Sequence, residues 1–390
     1  MPVQIRPSSA GKWVNCPGSA KMEEGLPDGG TSCAYEGTVA HWIAAKILKS
    51  EPLPEIGTQW EVENKEVVPV LVDSGLPTVT FTQEMLDYVS KYTDAVRTSN
   101  SVERGILHVE EHVKIFDNLE GTPDLFLRNI DYDLLFVHDL KYGFQQIDAR
   151  DNYQLLLYAH GILQTYPDWC AEEITLTIHQ PRLDRIDSYT YTREEFDVKI
   201  TELQRAASTT QAVNATELLN PGEHCAKYYC RARATCQALN KYVLADLPDM
   251  EDVDDDMGSK LSKIPIIRSW CDAVEQEAYR LAVREGKPVS GYKVVQSRNG
   301  NRKWRSDQEA EQIMRSMRLR SEQMYNYKII SPTEAEKMFK QGTLGERKWK
   351  RLREVITRSE SKLLLVPNSD KRDAVDVITD LDLLDDLIGD

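Results

Sequence analysis

Asp124, Asp139 and Lys141 are the residues whose types and spacing could do chemistry. They lie in Gly121-Thr-Pro-Asp124 and, further along, Asp139-Leu-Lys141. Hydrolysing a phosphodiester calls for a metal that polarises the phosphate and supplies hydroxide. Mg²⁺ takes one or two carboxylates and keeps several waters. Asp139 and Lys141 are two apart, so on a strand their side chains share a face. The lysine can then orient an attacking water and balance charge on the phosphate. Leu140 points to the opposite face, which leaves its main-chain carbonyl as a further metal ligand. A lone Asp-x-Lys is ordinarily a surface ion pair. Here Asp139 ends the apolar run Leu134–Val137 and follows a Gly-x-x-Asp, and that combination is far more specific.

The elements that must position these groups can be read from periodicity. Residues 34–49 place Val39, Ile43 and Ile47 at helical spacing, and a second helix is expected over 83–98. Residues 106–116 alternate as one strand through Leu107, Val109, Val113 and Ile115. Gly121-Thr-Pro turns the chain, Asp124–Arg128 is a short strand, and Leu134–Leu140 is a third. Short links make these an antiparallel meander. A helix over 150–165 and a strand over Glu173–His179 then give a strand–helix–strand crossover, hence a mixed α/β sheet. Near the N-terminus, Ser8 and Ser9 can cap a short helix through Trp13.

With the elements in that order, the motif resembles the catalytic signature of the PD-(D/E)XK nuclease superfamily. Two further matches point to its RecB/AddB-like branch, to which the CRISPR spacer-acquisition nucleases are similar. Gln154 and Tyr158, four apart on one helix face, resemble that branch's Q-x-x-x-Y motif. Without the preceding Asp-x-Lys, such a pair would be packing. Glu36-Gly-Thr-x-x-His41 looks like the branch's N-terminal helix motif. The resemblance implies a restriction-endonuclease-like mixed sheet flanked by helices. It also implies Asp124, Asp139 and His41 around Mg²⁺ or Mn²⁺, with Lys141, Gln154 and Tyr158 completing the catalytic set.

The chain has seven cysteines, too few and odd in number for a disulfide scaffold. Cys225, Cys230 and Cys236 fall within twelve residues, and Cys16 stands near the other end of the same region. One distant cysteine with a C-terminal triplet resembles the [4Fe–4S] arrangement of AddB and the spacer-acquisition nucleases, which four thiolates satisfy. Structural Zn²⁺ is the rival reading, with His224 as an additional imidazole, although the paired C-x₂-C of zinc fingers is absent. Unligated thiols are the third. Cys33, Cys170 and Cys271 sit among apolar neighbours and are expected in the core.

Net charge is −15, unpromising for a nucleic-acid partner until its distribution is considered. Residues 281–372 carry 22 Lys/Arg against 11 Asp/Glu, whereas 373–390 carry seven Asp and no base. Arg298, Arg302, Lys303 and Trp304, then Lys348, Trp349 and Arg351, interleave bases with indoles. Phosphate neutralisation beside aromatic stacking suits single-stranded DNA, although a solvated helix with a buried tryptophan would explain either stretch alone. The acidic tail could dock on a single-strand-binding or replication protein, mimic DNA, or only aid solubility.

The expected organisation is a nuclease domain over 1–245, an acidic linker over 246–260, a mostly helical α+β basic domain over 261–372 and the acidic tail 373–390. A β-hairpin is expected around Asn299-Gly300, and Ser331-Pro-Thr-Glu334 reads as a capping box. The apolar runs are too short to span a bilayer, and the N-terminus lacks a signal-peptide stretch. The N-terminal Ser9-x-x-x-Trp13-x-x-Cys16-Pro, the nuclease motifs, the cysteine triplet, Gly291-Tyr-Lys-Val-Val and Asn301-Arg-Lys-Trp304 also resemble a phage and prophage family of unassigned function, so a cytoplasmic, phage- or prophage-encoded protein is expected. The function so implied is a DNA exonuclease acting on single strands or ends in phage replication or recombination. The alternatives are a non-cleaving DNA-binding factor that keeps the fold, and a zinc-stabilised protein acting on RNA.

Overall fold

The computed structural model describes residues 3–375, apart from 27–29, 31, 64–65, 71–76, 213–216, 250–256, 298–301, 326–328, 359–362 and 368–372. The acidic run at 250–256, the Asn299-Gly300 turn, Arg298 and the tail from 376 fall outside the described residues. Two units emerge, Met1–Ala273 and Val274–Asp390.

The first unit is built on a five-stranded mixed sheet. Helices α1 (Ser32–Leu48) and α2 (Gln83–Glu103) precede strands β1 (Ile106–Val109), β2 (Leu125–Asn129) and β3 (Leu134–Leu140). Helix α3 (Tyr153–Thr165), strands β4 (Glu173–Gln180) and β5 (Arg185–Thr192) and helix α4 (Arg193–Gln211) follow. The order across the sheet is β5-β4-β3-β2-β1, antiparallel except for β3 beside β4. That parallel pair requires the crossover that α3 supplies.

β3 is buried along most of its length, as its unbroken Leu-Leu-Phe-Val run requires. One face of the sheet packs Leu135, Val137, Leu155 and Ile162 with Phe196 and Leu203 of α4. The other packs Leu125, Leu127 and Leu140 with Val39 and Ile43 of α1 and Val89 and Tyr92 of α2. Side-chain caps start the helices: Thr82 accepts from Met85 N–H at 3.2 Å, Asn152 from Leu155 N–H at 3.2 Å, and Thr192 with Glu195 closes a capping box. A separate small sheet, Gln59–Glu63 between Glu66–Pro69 and Thr78–Thr80, lies in a stretch where no element was expected.

The alternation over 106–116 is not one strand. It breaks at Glu110, which adopts φ 51°, and Val113–Phe116 pairs instead with Leu119–Gly121. Alternation reports two-sided burial and cannot see a left-handed residue that turns the chain. In the second unit, Tyr292–Gln296 and Arg302–Trp304 are strands but do not pair with each other. The first pairs with Leu363–Pro367 and the second with Ile356–Arg358, so the expected hairpin gives way to long-range pairing. Ser331 caps Pro332–Lys340 as anticipated, with Glu334 reciprocating. Trp304, Met314, Ala335 and Leu352 form this unit's core, giving a mostly helical α+β body.

Candidate active site and cysteine cluster

Strand register brings the two aspartates together. Leu125 stands opposite His138, so the residue preceding β2, Asp124, comes beside Asp139. Asp124 is fixed from three directions. Its Oδ2 accepts the Leu140 N–H at 2.8 Å, its Oδ1 lies 3.0 Å from His41 Nδ1, and its carbonyl accepts the Glu110 N–H at 3.1 Å. The left-handed turn at Glu110 thus positions a site residue. Leu140 contributes its N–H to the site, and its side chain is fully buried.

Asp139 is 1% exposed, with Lys141 Nζ 2.8 Å from its Oδ2. That contact is an ion pair of poor hydrogen-bond direction, and Oδ1 has no partner at all. Lys141 Nζ also donates to Gln154 Oε1 at 2.9 Å, and Gln154 Nε2 donates to the Tyr158 hydroxyl at 3.3 Å. The four residues form a line from α3 to the end of β3. Gly121 is part of the same packing: a Cβ there would stand 2.8 Å from Tyr158 Cε1 and 3.0 Å from Pro7. In the sequence that glycine signals only a turn.

Charge is divided unequally. Burial would raise the Asp124 carboxyl, but His41, Lys141 and the Leu140 N–H outweigh it and hold it below the ordinary value. Burial and the neighbouring Asp124 raise the Asp139 carboxyl, against Lys141 and His41. Burial would lower His41, yet the two aspartates hold it above its usual value. Burial raises the Tyr158 phenol, which stays neutral. Glu36 joins none of this; it pairs with Arg182 at 3.0 Å.

Among the described residues, no three His, Cys, Asp or Glu side chains are gathered as a closed cage for a metal ion. Mg²⁺ needs no such cage, because it uses one or two carboxylates and retains water. Asp124 and Asp139 fit that requirement, and the buried, unpartnered Asp139 Oδ1 is the atom such a cation would satisfy.

Directly beneath the site, His138 and His179 share a 3.0 Å hydrogen bond across β3 and β4, and Tyr92 packs edge-on to His179. Their signal in the sequence was a histidine inside an apolar strand, eclipsed by the aspartate next to it.

Cys16, Cys225, Cys230 and Cys236 line one cavity, with Lys12 and Arg233 beside them. The Asn220 N–H points to Cys16 Sγ at 3.4 Å and the Leu239 N–H to Cys236 Sγ at 3.5 Å. Burial raises the thiols of Cys16 and Cys225, and burial with the nearby Glu23 carries Cys230 to about 12. Raised thiols at Cys16, Cys225 and Cys230 favour the protonated form. Gly11 packs onto the Tyr228 ring with no room for a Cβ, so the N-terminal helix and the cysteine loop meet there. Cys33, Cys170 and Cys271 are exposed, contrary to expectation; around Cys170 the neighbouring Trp169 and Ala171 are buried without it.

In the second unit, Trp304 is buried and donates to the Ile330 carbonyl at 2.9 Å, so its ring is core rather than a stacking surface. Trp349 is half-buried and stacked on Phe339 with centroids 5.6 Å apart. Arg302 pairs with Glu336. Lys303, Lys348 and Arg351 are exposed, as are Arg347, Lys350 and Arg353 on the helix Glu346–Arg353.

The family described as "protein of unknown function (DUF2800)" matches residues 4–373. The chain belongs to that family. Among solved structures, SSO0001 is 15% identical over 61% of this chain and 88% of its own, with a TM-score of 0.30. A phage related exonuclease from Haemophilus somnus 129PT is 13% identical over 54% of this chain and 94% of its own, with a TM-score of 0.24. Likenesses of that size assign no chemistry to this member of the DUF2800 family, and its function has to be argued from its own side chains.

Proposed function

We propose that the protein is a metal-dependent deoxyribonuclease of the PD-(D/E)XK type, acting as an exonuclease on single strands or DNA ends in phage replication or recombination. The observation that carries this reading is the unbroken line Tyr158–Gln154–Lys141–Asp139, ending beside Asp124 and His41. A structural ion pair needs none of the first two. Asp124 and Asp139 would hold Mg²⁺ or Mn²⁺, with His41 as the third side-chain ligand. A cation there supplies phosphate polarisation and hydroxide at neutral pH. Gln154 accepts one of the Lys141 ammonium hydrogens and fixes the lysine's position. The ammonium's remaining hydrogens then serve Asp139 and a water or phosphate oxygen. Tyr158, kept neutral, anchors Gln154 in turn.

The four cysteines that line this cavity would hold a [4Fe–4S] cluster, with structural Zn²⁺ as the alternative. Arg233 lies beside the cysteines while Lys12 pairs with Glu23 at 2.7 Å, and the Asn220 and Leu239 N–H groups would serve as N–H···S donors to the cluster's thiolates. Its contribution would be a staple between the two ends of the unit. The exposed bases of Glu346–Arg353 would contact the DNA backbone. No described helix is long and apolar enough to cross a membrane.

The test is cleavage of end-labelled single- and double-stranded DNA by anaerobically purified protein with Mg²⁺ or Mn²⁺. Wild type, Asp139→Ala and Lys141→Ala would run side by side, with iron and sulfide assayed on each. Loss of about 10²–10⁴-fold in either variant, with DNA binding kept, is expected. Binding without cleavage by wild type in any divalent metal would leave a non-cleaving DNA-binding factor. Zinc without iron would replace the cluster by a structural zinc site.

A further inference from the structure

The loop after Lys141 is held more firmly than an exposed segment requires. Gln180 is wholly buried, donates to the Gln145 carbonyl at 2.7 Å and accepts the Ile147 N–H at 3.0 Å. Arg185 donates to the Ile147 carbonyl, and the Ala149 N–H donates to Asp187 at 2.7 Å. Between Lys141 and this clamp stands Phe144, 67% exposed. A phenyl ring left in water forgoes a large burial gain, and the backbone that follows it is fixed at Gln145, Ile147 and Ala149. Arg182 lies 4.9 Å from the Phe144 centroid and 4.1 Å from that of Tyr142, with Glu36 fixing the guanidinium. The result is a layered stack: buried Tyr142 as the floor, Arg182 in the middle and Phe144 at the surface.

An exposed aromatic ring backed by a cation is what a nucleobase stacks on. The open pocket alongside, about 460 Å³ in volume, is bordered by Tyr142, Arg182, Glu36 and Glu84. Glu84 can accept a hydrogen bond from the amino group of a base, while Glu36 is engaged with Arg182. We infer that Phe144, supported by Arg182 and Tyr142, is a stacking platform for an unpaired nucleobase of the DNA strand being cut. Resting on the nuclease reading above, this makes the preferred substrate a single strand or frayed end, because a base inside a duplex cannot reach the ring.

The test uses the full-length protein and single-stranded oligonucleotides carrying 2-aminopurine at successive positions. Binding is followed in Ca²⁺ on a Lys141→Ala background, where turnover does not consume the probe. One position should be quenched on binding, unquenched in Phe144→Ala, and quenched again in Phe144→Trp. In the otherwise wild-type enzyme, Phe144→Ala should raise KM for single-stranded DNA roughly tenfold or more, with little change in kcat. Phe144 is so exposed that its removal should not affect folding, which a thermal melt checks. Quenching that ignores Phe144 at every position, or an unchanged KM in an enzyme that cuts, overturns the platform. A protein that cuts no DNA defeats the nuclease reading alone, since the quench still decides whether a base sits on Phe144.

Discussion

Acidification from pH 7.5 to 5.5 should weaken the Met1–Ala273 unit by about 3 kcal/mol through two buried imidazoles alone. His138 and His179 are 2% and 4% exposed and bond only to each other, Nδ1 to Nε2, at 3.0 Å. Burial, with His179 adjacent, pushes His138 down to about 3. Burial also pushes His179 down to about 4. Both folded values lie below the unfolded value of about 6.5, so the native state binds fewer protons than the unfolded chain. Their contribution is therefore complete above pH 6.5 and lost as pH falls from there toward 4. At pH 5.5 each unfolded imidazole is about ten-elevenths protonated, worth about 1.4 kcal/mol, and two give roughly 3. The assay is urea unfolding by tryptophan fluorescence in EDTA at the two pH values, with His138→Leu alongside. The variant will be less stable at both, since His179 loses its partner, but its pH-dependent loss should fall by about 1.4 kcal/mol. Contributions from His41, His160 and the carboxylates cancel in that difference. An identical pH dependence in variant and wild type would refute the assignment of a buried, neutral pair.

Gly121→Ala should cost about 1–3 kcal/mol, because the new methyl meets Tyr158 Cε1 at 2.8 Å and Pro7 at 3.0 Å. By displacing Tyr158 it should also cut DNA cleavage at least tenfold while binding persists; a normal melt with normal turnover would show that the contact is idle. Trp304→Ala should destabilise the Val274–Asp390 unit by about 3–5 kcal/mol, read as a lost or lowered transition in calorimetry, because the ring is core and its N–H holds Ile330. Replacing Lys348 and Arg351 together by Ala should leave melting unchanged but flatten the salt dependence of DNA binding. The expected change in log–log slope is about 1.4–1.8 if both meet phosphate, and an unaltered slope would remove that helix from the interface.

What the sequence revealed of the site was local. The period of two that sets Asp139 and Lys141 on one face, and the period near four that aligns Gln154 with Tyr158, are properties of single elements. The antiparallel register of β2 and β3 then places Asp124 at the same point. The hidden features depend on distant segments. Phe144 is one aromatic in a loop until Gln180, on another strand, clamps its neighbours. Arg182 acquires a role only when Glu36, near the start of the chain, holds it. Tyr292–Gln296 and Arg302–Trp304 carry a strong turn signal between them, yet each finds more to pair with at 356–367. Even the break at Glu110 depends on a remote partner, the Asp124 carbonyl that receives its N–H.

The choice between a catalytic and a structural reading of Asp139 turns on a single oxygen. A carboxylate retained for stability inside a protein has its lone pairs filled, since a buried acceptor left bare costs about 1–3 kcal/mol and a charged one more. Asp124 meets that standard through Leu140 N–H and His41. Asp139 does not: it is nearly inaccessible, its ion pair with Lys141 is poorly directed, and Oδ1 has no partner. A neutral residue at this position would spare the fold that cost. Lys141 could neutralise the charge at closer alignment, but Gln154 holds its ammonium in place. An acid kept short of partners beside a second acid, with the nearest cation restrained, is an arrangement that a divalent metal would complete. Asp139→Asn should therefore leave the folded protein at least as stable in EDTA as wild type while abolishing cleavage. A variant that melts well below wild type in EDTA would make Asp139 part of the scaffold instead.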